Sequence, residues 1–207
     1  NAADPATRSL FPKIDAPIVT FGMHARADIT ASLLERCSSE QTFLIRARQE
    51  TATVRTAVIG DPHITHCLAA ASLALSGGID LATIAVGLSA PRSLPGHLER
   101  IECGQPFSVF VDAANHPDTL AMALHSIRSV HPRRLICVFG PSFHQPAEMR
   151  ARMGRVVERA SDMGIITSND PGGESPLAIT HDVLAGYCRP GRAHFIPDRL
   201  EAICWAL

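Results

Sequence analysis

Two groups of polar residues in this sequence have the types and spacing for chemistry. The first is a corner formed by Asp112, Asn115, His116 and Asp118, between the apolar run 107–111 and an apolar-periodic run after Pro117. A strand that delivers polar side chains to a helix N-terminus suits a nucleotide or phosphate, because helix N–H groups and strand carboxyl ends converge there. The second is a pair of histidines, His63 and His66, spaced i, i+3 so that they share a helix face. Joined by His97 and Asp112, they have the donor types of a zinc site, although ten histidines in the chain make chance clustering easy. Plainer readings stand beside these. Asp112 also suits a strand-end carboxylate that accepts backbone N–H bonds. Gly172-Gly173 could form an anion nest or a simple turn. Glu174 could face an amino acid, stay in solvent, or cap the helix that starts near Pro176.

The elements that must position these residues follow from periodicity and turn chemistry. Strands are predicted at 16–22, 41–48 and 53–60, the last two as a hairpin. Helices follow, one with Pro62 near its start and Gly77-Gly78 as its stop, the next opened by Asp80 as N-cap. The Pro- and Ser-rich stretch 89–96 reads as a hinge. Beyond it strand and helix alternate. Strands are expected at 97–104, 107–113, 134–140, 163–170 and 193–196. The helices between and after them open at Pro117, Ala147, Ser175 and Asp198. In the helix after Ala147, the apolar positions Met149, Met153, Val156, Val157 and Ala160 form the core stripe, and Arg150, Arg152, Arg155 and Arg159 the solvated face. Repeated β-α units imply a mainly parallel sheet with helices on both faces. The expectation is that 107–112, 135–139 and 164–167 share that sheet.

Composition bounds the function. Hydrophobic residues make up 46% of the 207 and charged residues 19%, an ordinary globular balance. A net charge of −1 gives no basic excess for a nucleic-acid backbone or an anionic membrane. No apolar run reaches membrane-spanning length, and no signal peptide is present. The six cysteines include no C-x-x-C pair, which argues against zinc-ribbon and thioredoxin-like sites. Cys103 and Cys137 fall in apolar runs and are expected to be buried free thiols. Free thiols fit a reducing cytoplasm.

The order of short motifs resembles the Mur ligases, and among them the MurE type, which adds the third amino acid to UDP-N-acetylmuramoyl-dipeptide. "NAADP" at the start of this chain is similar to "NADDP" of that family, "GDPHITHCLAA" from Gly60 to "GRFNVYNALAA", and "LPGHLE" from Leu94 to "VPGRLE". "VDAANHPDTL" from Val111 resembles "VDYAHTPDSL", and "TSNDPGGESP" from Thr167 resembles "TSDNPRSEDP". "RARMG" from Arg150, "DVLAG" from Asp182 and "DRLEAI" from Asp198 continue the series. The resemblance covers the whole chain in order. It implies the later part of a Mur-ligase-like central α/β domain (1–96), then a Rossmann-like C-terminal α/β domain (97–207) truncated at its end. It implies an ATP- and magnesium-dependent ligase of cytoplasmic peptidoglycan precursor synthesis. Its substrates would be UDP-MurNAc-dipeptide and an amino acid.

The departures within those motifs fall at ligand-facing positions. The resemblance places His63, His66, His97, Asp112, Asn115 and His116 at the nucleotide. There the two histidines of the helix replace asparagines, and His97 replaces an arginine. A neutral imidazole offers one donor and one acceptor, as an amide does at different reach, but it lacks the fixed charge and planar fork of arginine. Ala113 replaces a tyrosine that could pack on a base. Asn169, Asp170 and Glu174 fall at the amino-acid end, where Gly172 replaces an arginine that grips a free carboxylate. No G-x-x-x-x-G-K-[ST] phosphate loop occurs in the 207 residues, and in the family it lies upstream of "NADDP". No catalytic residue is assigned within this chain. It is expected to be part of a longer protein, and alone to neither bind ATP tightly nor ligate. A non-catalytic Mur-ligase-like scaffold or binding protein is the alternative.

Overall fold

The computed structural model describes residues 1–23 and 26–207 and divides into two compact units, Asn1–Asp112 and Ala113–Leu207. The first unit opens with α1 (Pro5–Arg8), a 3-10 turn (Phe11–Lys13) and the short strand β1 (Phe21–Gly22). β2 (Ile29–Arg36), β3 (Gln41–Ala47) and β4 (Glu50–Thr56) follow, then α2 (Asp61–Ser76) and α3 (Leu81–Ser89). The sheet order is β1-β2-β3-β4, with β1 parallel to β2 and the other pairs antiparallel. β3 shows the period of a half-buried strand: Gln41, Phe43, Ile45 and Ala47 point into the core. There they meet Val54 of β4, Ile64, Cys67 and Leu68 of α2, and Leu81 and Ile84 of α3.

The expected strand 16–22 is reduced to β1, and β2 had no counterpart in the sequence reading. Ala31, Leu33, Leu34, Glu35 and Arg36 are residue types that favour helices. Pairing with β3 overrides that preference, and Leu34 is left over as a bulge between the pairs Leu33–Phe43 and Glu35–Thr42.

β5 (Glu99–Ile101) and β6 (Val109–Val111) form a separate antiparallel ribbon. This corrects the expectation that 107–112 shares a sheet with 135–139 and 164–167. The chain between the two strands closes locally. Gly104 adopts a φ of 79°, the Gln105 side-chain oxygen accepts from Cys103 N–H at 2.7 Å, and its amide nitrogen donates to the Ile101 carbonyl at 2.6 Å. Cys103 lies exposed in this turn, not buried as its apolar surroundings suggested; Cys137 is buried as expected.

The second unit contains α4 (Pro117–Arg128), β7 (Ile136–Phe139), α5 (Ala147–Ala160), β8 (Met163–Ile166), α6 (Pro176–Leu184), a 3-10 turn (Pro190–Arg192), β9 (Ala193–Phe195) and α7 (Arg199–Ala206). β7, β8 and β9 form a parallel sheet in that order, as the β-α alternation required. Leu120, Leu124, Phe139, Met153, Val157, Ile166 and Val183 make its core. The turn after α6 approaches α5 so closely that a Cβ on Gly186 would lie 1.7 Å from the Ala151 carbonyl oxygen.

Candidate functional site

In the first unit the start of α2 is set by one buried amide. Gln41 donates to the carbonyls of Val58 (2.9 Å) and Gly60 (3.1 Å) and accepts from Gly60 N–H (3.0 Å). Gly60 has a φ of 105°, which only glycine holds without strain. Arg36 donates to the Gln41 side-chain oxygen at 2.8 Å and pairs with Asp61 in the first turn of α2. An acid there also complements the helix dipole.

This fixes His63, the third residue of the helix. Its ring is buried, with Nε2 at 3.1 Å from Thr56 Oγ1 and 3.5 Å from Cys67 Sγ. Its Nδ1 is buried with no hydrogen-bond partner among the described residues. Burial first, then repulsion from His66 and His97, lowers its pKa to about 4, so the ring is neutral at physiological pH. His66 and His97 are themselves exposed, and both lie within electrostatic reach of His63. His97 sits in a bend between Gly96 (φ 71°) and Leu98 (φ 47°). Asp112 Oδ2 accepts from Leu98 N–H at 2.9 Å, which ties the end of β6 to that bend. Thus the structure brings His63, His66 and His97 together and anchors Asp112 next to His97 in the chain. Among the described residues no group of three His, Cys, Asp or Glu is arranged to hold a metal ion.

In the second unit His116 is the N-cap of α4. Its Nδ1 accepts from Asp118 N–H at 3.3 Å, and Thr119 Oγ1 accepts from His116 N–H at 3.3 Å, a reciprocal capping box. Pro117 at the first helical position signalled a helix start in the sequence; histidine is an uncommon cap. The Asn115 side chain is exposed, and its carbonyl accepts from the Gln145 amide.

The amino-acid-end residues lie on the loop after β8. Asn169 borders a cleft beyond the carboxyl ends of β7, β8 and β9, together with Pro141, Thr167, Thr180 and Phe195. Asp170 is exposed and accepts from Gly172 N–H at 3.3 Å. Glu174 belongs to a different arrangement. Arg150, expected on a solvated face, is buried and donates to both Glu174 oxygens (2.7 and 2.9 Å), to Asp182 Oδ2 (2.9 Å) and to the Phe143 carbonyl (2.9 Å). The Arg150 guanidinium holds the Glu174 carboxyl below its usual range. Sequence reasoning missed Arg150. Its available signal was position: it lies one residue after Met149 and three before Met153, at the edge of the apolar stripe.

An alternating α/β chain of this order, with a parallel-sheet unit and a polar loop at the carboxyl ends of its strands, defines a class. The family profile described as Mur ligase, glutamate ligase domain, matches residues 96–207, and the chain belongs to that family. It is 34% identical, over its whole length, to the UDP-N-acetylmuramoyl-L-alanyl-D-glutamate--2,6-diaminopimelate ligase of Geobacillus kaustophilus and covers 42% of that protein. A solved structure of an enzyme of that name superposes with a TM-score of 0.62 at 25% identity, over 97% of this chain and 42% of the other. MurF from Acinetobacter baumannii superposes with a TM-score of 0.72 at 19% identity, over 91% of this chain and 39% of its own, which speaks to the fold alone. No helix among the described residues is long and apolar enough to cross a membrane.

Proposed function

We propose that this chain is the later part of an ATP-dependent ligase that joins an amino acid to UDP-N-acetylmuramoyl-dipeptide in peptidoglycan precursor synthesis. The observation that carries the reading is the 34% identity, along the whole chain, to a ligase named for that chemistry. In this reading residues 1–96 belong to the central domain and 97–207 to the C-terminal domain, and the protein works in the cytoplasm. ATP, with magnesium, supplies the phosphoryl group that activates the substrate carboxylate for attack by the incoming amine.

The residues present suit the nucleoside end of ATP. Asp112, held at Leu98, offers a carboxylate for ribose hydroxyls. His63, neutral and with an orphaned Nδ1, sits beside two exposed imidazoles able to donate or accept. Asn115 and His116, in the second unit, offer a separate polar corner at the start of α4. They do not suit the triphosphate, because the 207 residues contain no phosphate-loop sequence. Asn169 and Asp170 take the amino-acid end. Glu174 acts there indirectly, as the acid that ties the loop to Arg150.

Two measurements test this. ADP release by the full-length protein should require both UDP-MurNAc-dipeptide and an amino acid; binding of the UDP-sugar peptide without turnover would favour the scaffold instead. ATP–magnesium titrated into the 207-residue chain should bind in the millimolar range. Each lost charge-assisted contact costs roughly 1.5–3 kcal/mol, and ~1.4 kcal/mol is tenfold in affinity. A low-micromolar constant would mean that the histidines have built a different working site.

A further inference from the structure

Arg150 reaches further than a pair between two helices requires. It is buried on α5, and each of its two terminal nitrogens donates twice. Nη1 donates to Glu174 Oε2 and Asp182 Oδ2, and Nη2 to Glu174 Oε1 and the Phe143 carbonyl. Of these acceptors only Asp182 lies on a helix, α6. The other three belong to the loops that follow β7 and β8, residues 140–146 and 167–175. Those loops leave the carboxyl ends of parallel strands, where open α/β sheets bind their ligands.

The two loops also meet directly. Phe143 N–H donates to the Asp170 carbonyl at 3.0 Å. A Cβ on Gly172 would lie 2.4 Å from the Phe143 ring, so that ring packs on the Gly172 backbone. The first loop then passes the link to α4. Gln145 Oε1 accepts from Ser142 N–H at 3.1 Å, and its amide nitrogen donates to the carbonyl of Asn115, the residue before the His116 N-cap. A path of polar contacts therefore runs from Asn115 through residues 142–145 to Asp170 and Glu174, all inside the second unit. Arg150 is the charge that holds both loops.

We infer that Arg150 is a positioning residue: it holds the loops 140–146 and 167–175 as one piece and, through Gln145, sets the corner at Asn115 and His116. It touches neither reactant. It places the loop that carries Asn169 and Asp170, and the start of α4, relative to each other. The planar fork of a guanidinium suits acceptors on both sides, whereas a lysine keeps the charge on a single nitrogen and cannot bridge them. The consequence for turnover rests on the ligase reading, which puts the amino-acid end on the loop after β8. The coupling of the two loops does not.

The test is ¹⁵N relaxation of the 207-residue chain carrying Arg150→Lys. The amides of Phe143, Gly172 and Glu174 should loosen together, their order parameters falling from about 0.85 towards ~0.6, while Val138 and Ile165 in the strands stay rigid. Glu174→Gln, which keeps Arg150, should loosen the same amides less, and it carries the test if the lysine variant misfolds. The His116 amide shares a peptide group with the Asn115 carbonyl. It should shift in Arg150→Lys and stop responding once Gln145→Ala is also present. Loops as ordered as in the parent in both variants overturn the inference and leave Arg150 a structural ion pair. A His116 shift that survives Gln145→Ala removes the α4 corner from its reach. In the full-length protein, ADP release is measured with UDP-MurNAc-dipeptide and 2,6-diaminopimelate, for which relatives are named. Arg150→Lys should raise the amino-acid KM about tenfold and leave the KM for the UDP-MurNAc-dipeptide unchanged. A fall in kcat with both KM values unchanged overturns the positioning role. No ADP release by the parent counts against the ligase reading and leaves the loop measurement to judge Arg150.

Discussion

His63 and Arg150 are both polar side chains buried in helices, and they reach that state by opposite means. His63 gives up its charge. Its ring makes contact through Nε2 alone, and burial holds its pKa at about 4. Arg150 keeps its charge and surrounds it with two carboxylates and a carbonyl. The difference follows from the side chains. An imidazole can shed a proton within two or three pH units of neutrality, whereas a guanidinium cannot and must be paired. The first unit therefore carries an acid sensitivity at His63, and the second a sensitivity to loss of a partner at Arg150.

Removing the Arg150 guanidinium should have the largest effect. Arg150→Met leaves Glu174 and Asp182 facing each other without a cation. Breaking a buried pair costs up to 3–5 kcal/mol, and because both acids remain open to water we expect about 2–3 kcal/mol. Denaturant unfolding followed by Trp205, which lies in the second unit, measures it. An effect below ~1 kcal/mol would mean that the network adds little.

Acid should come next. The folded pKa of His63 lies below its unfolded value, so as pH falls the unfolded chain binds the proton first. The stability of the first unit should be full above about pH 6.5 and decline towards pH 4. The loss should be about 2 kcal/mol once solvent screening is allowed for. Hydrogen exchange at β3 amides reads it, and His63→Gln should flatten the profile in that window. A profile unchanged by that variant would show the acid sensitivity to lie elsewhere.

A double-mutant cycle sharpens the contrast further. Glu174→Gln should lower the second unit's melting temperature in the parent chain and have almost no effect in Arg150→Met. Equal effects in both backgrounds would show that Glu174 acts independently of Arg150. The smallest effect belongs to exposed His97. His97→Ala should change stability by less than ~0.5 kcal/mol and raise the His63 titration midpoint slightly, by removing one of two like charges. NMR titration of the His63 ring checks the direction.

The sequence disclosed what depends on local period and on helix ends. Asp80 and Asp198 cap their helices as read, accepting from Thr83 N–H and Glu201 N–H. The alternation after residue 134 became a parallel sheet because each strand is short, apolar and followed by a helix. What it hid depends on distant partners. β2 is a strand because β3 lies beside it, and β6 lies outside the parallel sheet because it pairs with β5. The candidate site divided the same way. His63, His66 and His97 were legible as a group through motif order. The pairing of Glu174 with Arg150 was not legible, because Arg150 stands 24 residues earlier, on a helix face that looked solvated.

Each unit also carries its own clock. Cys67 lies in the first core and Cys137 in the second, and burial pushes their thiols up to about 11 and about 12. A thiolate is the species that reacts with labelling reagents, so both are silent while their unit is closed. With the exposed cysteines changed to serine, the rate at which each buried sulfur becomes modified reports how often its surroundings open. Two rates from one unmodified core pair would show whether the halves of this chain breathe together or separately.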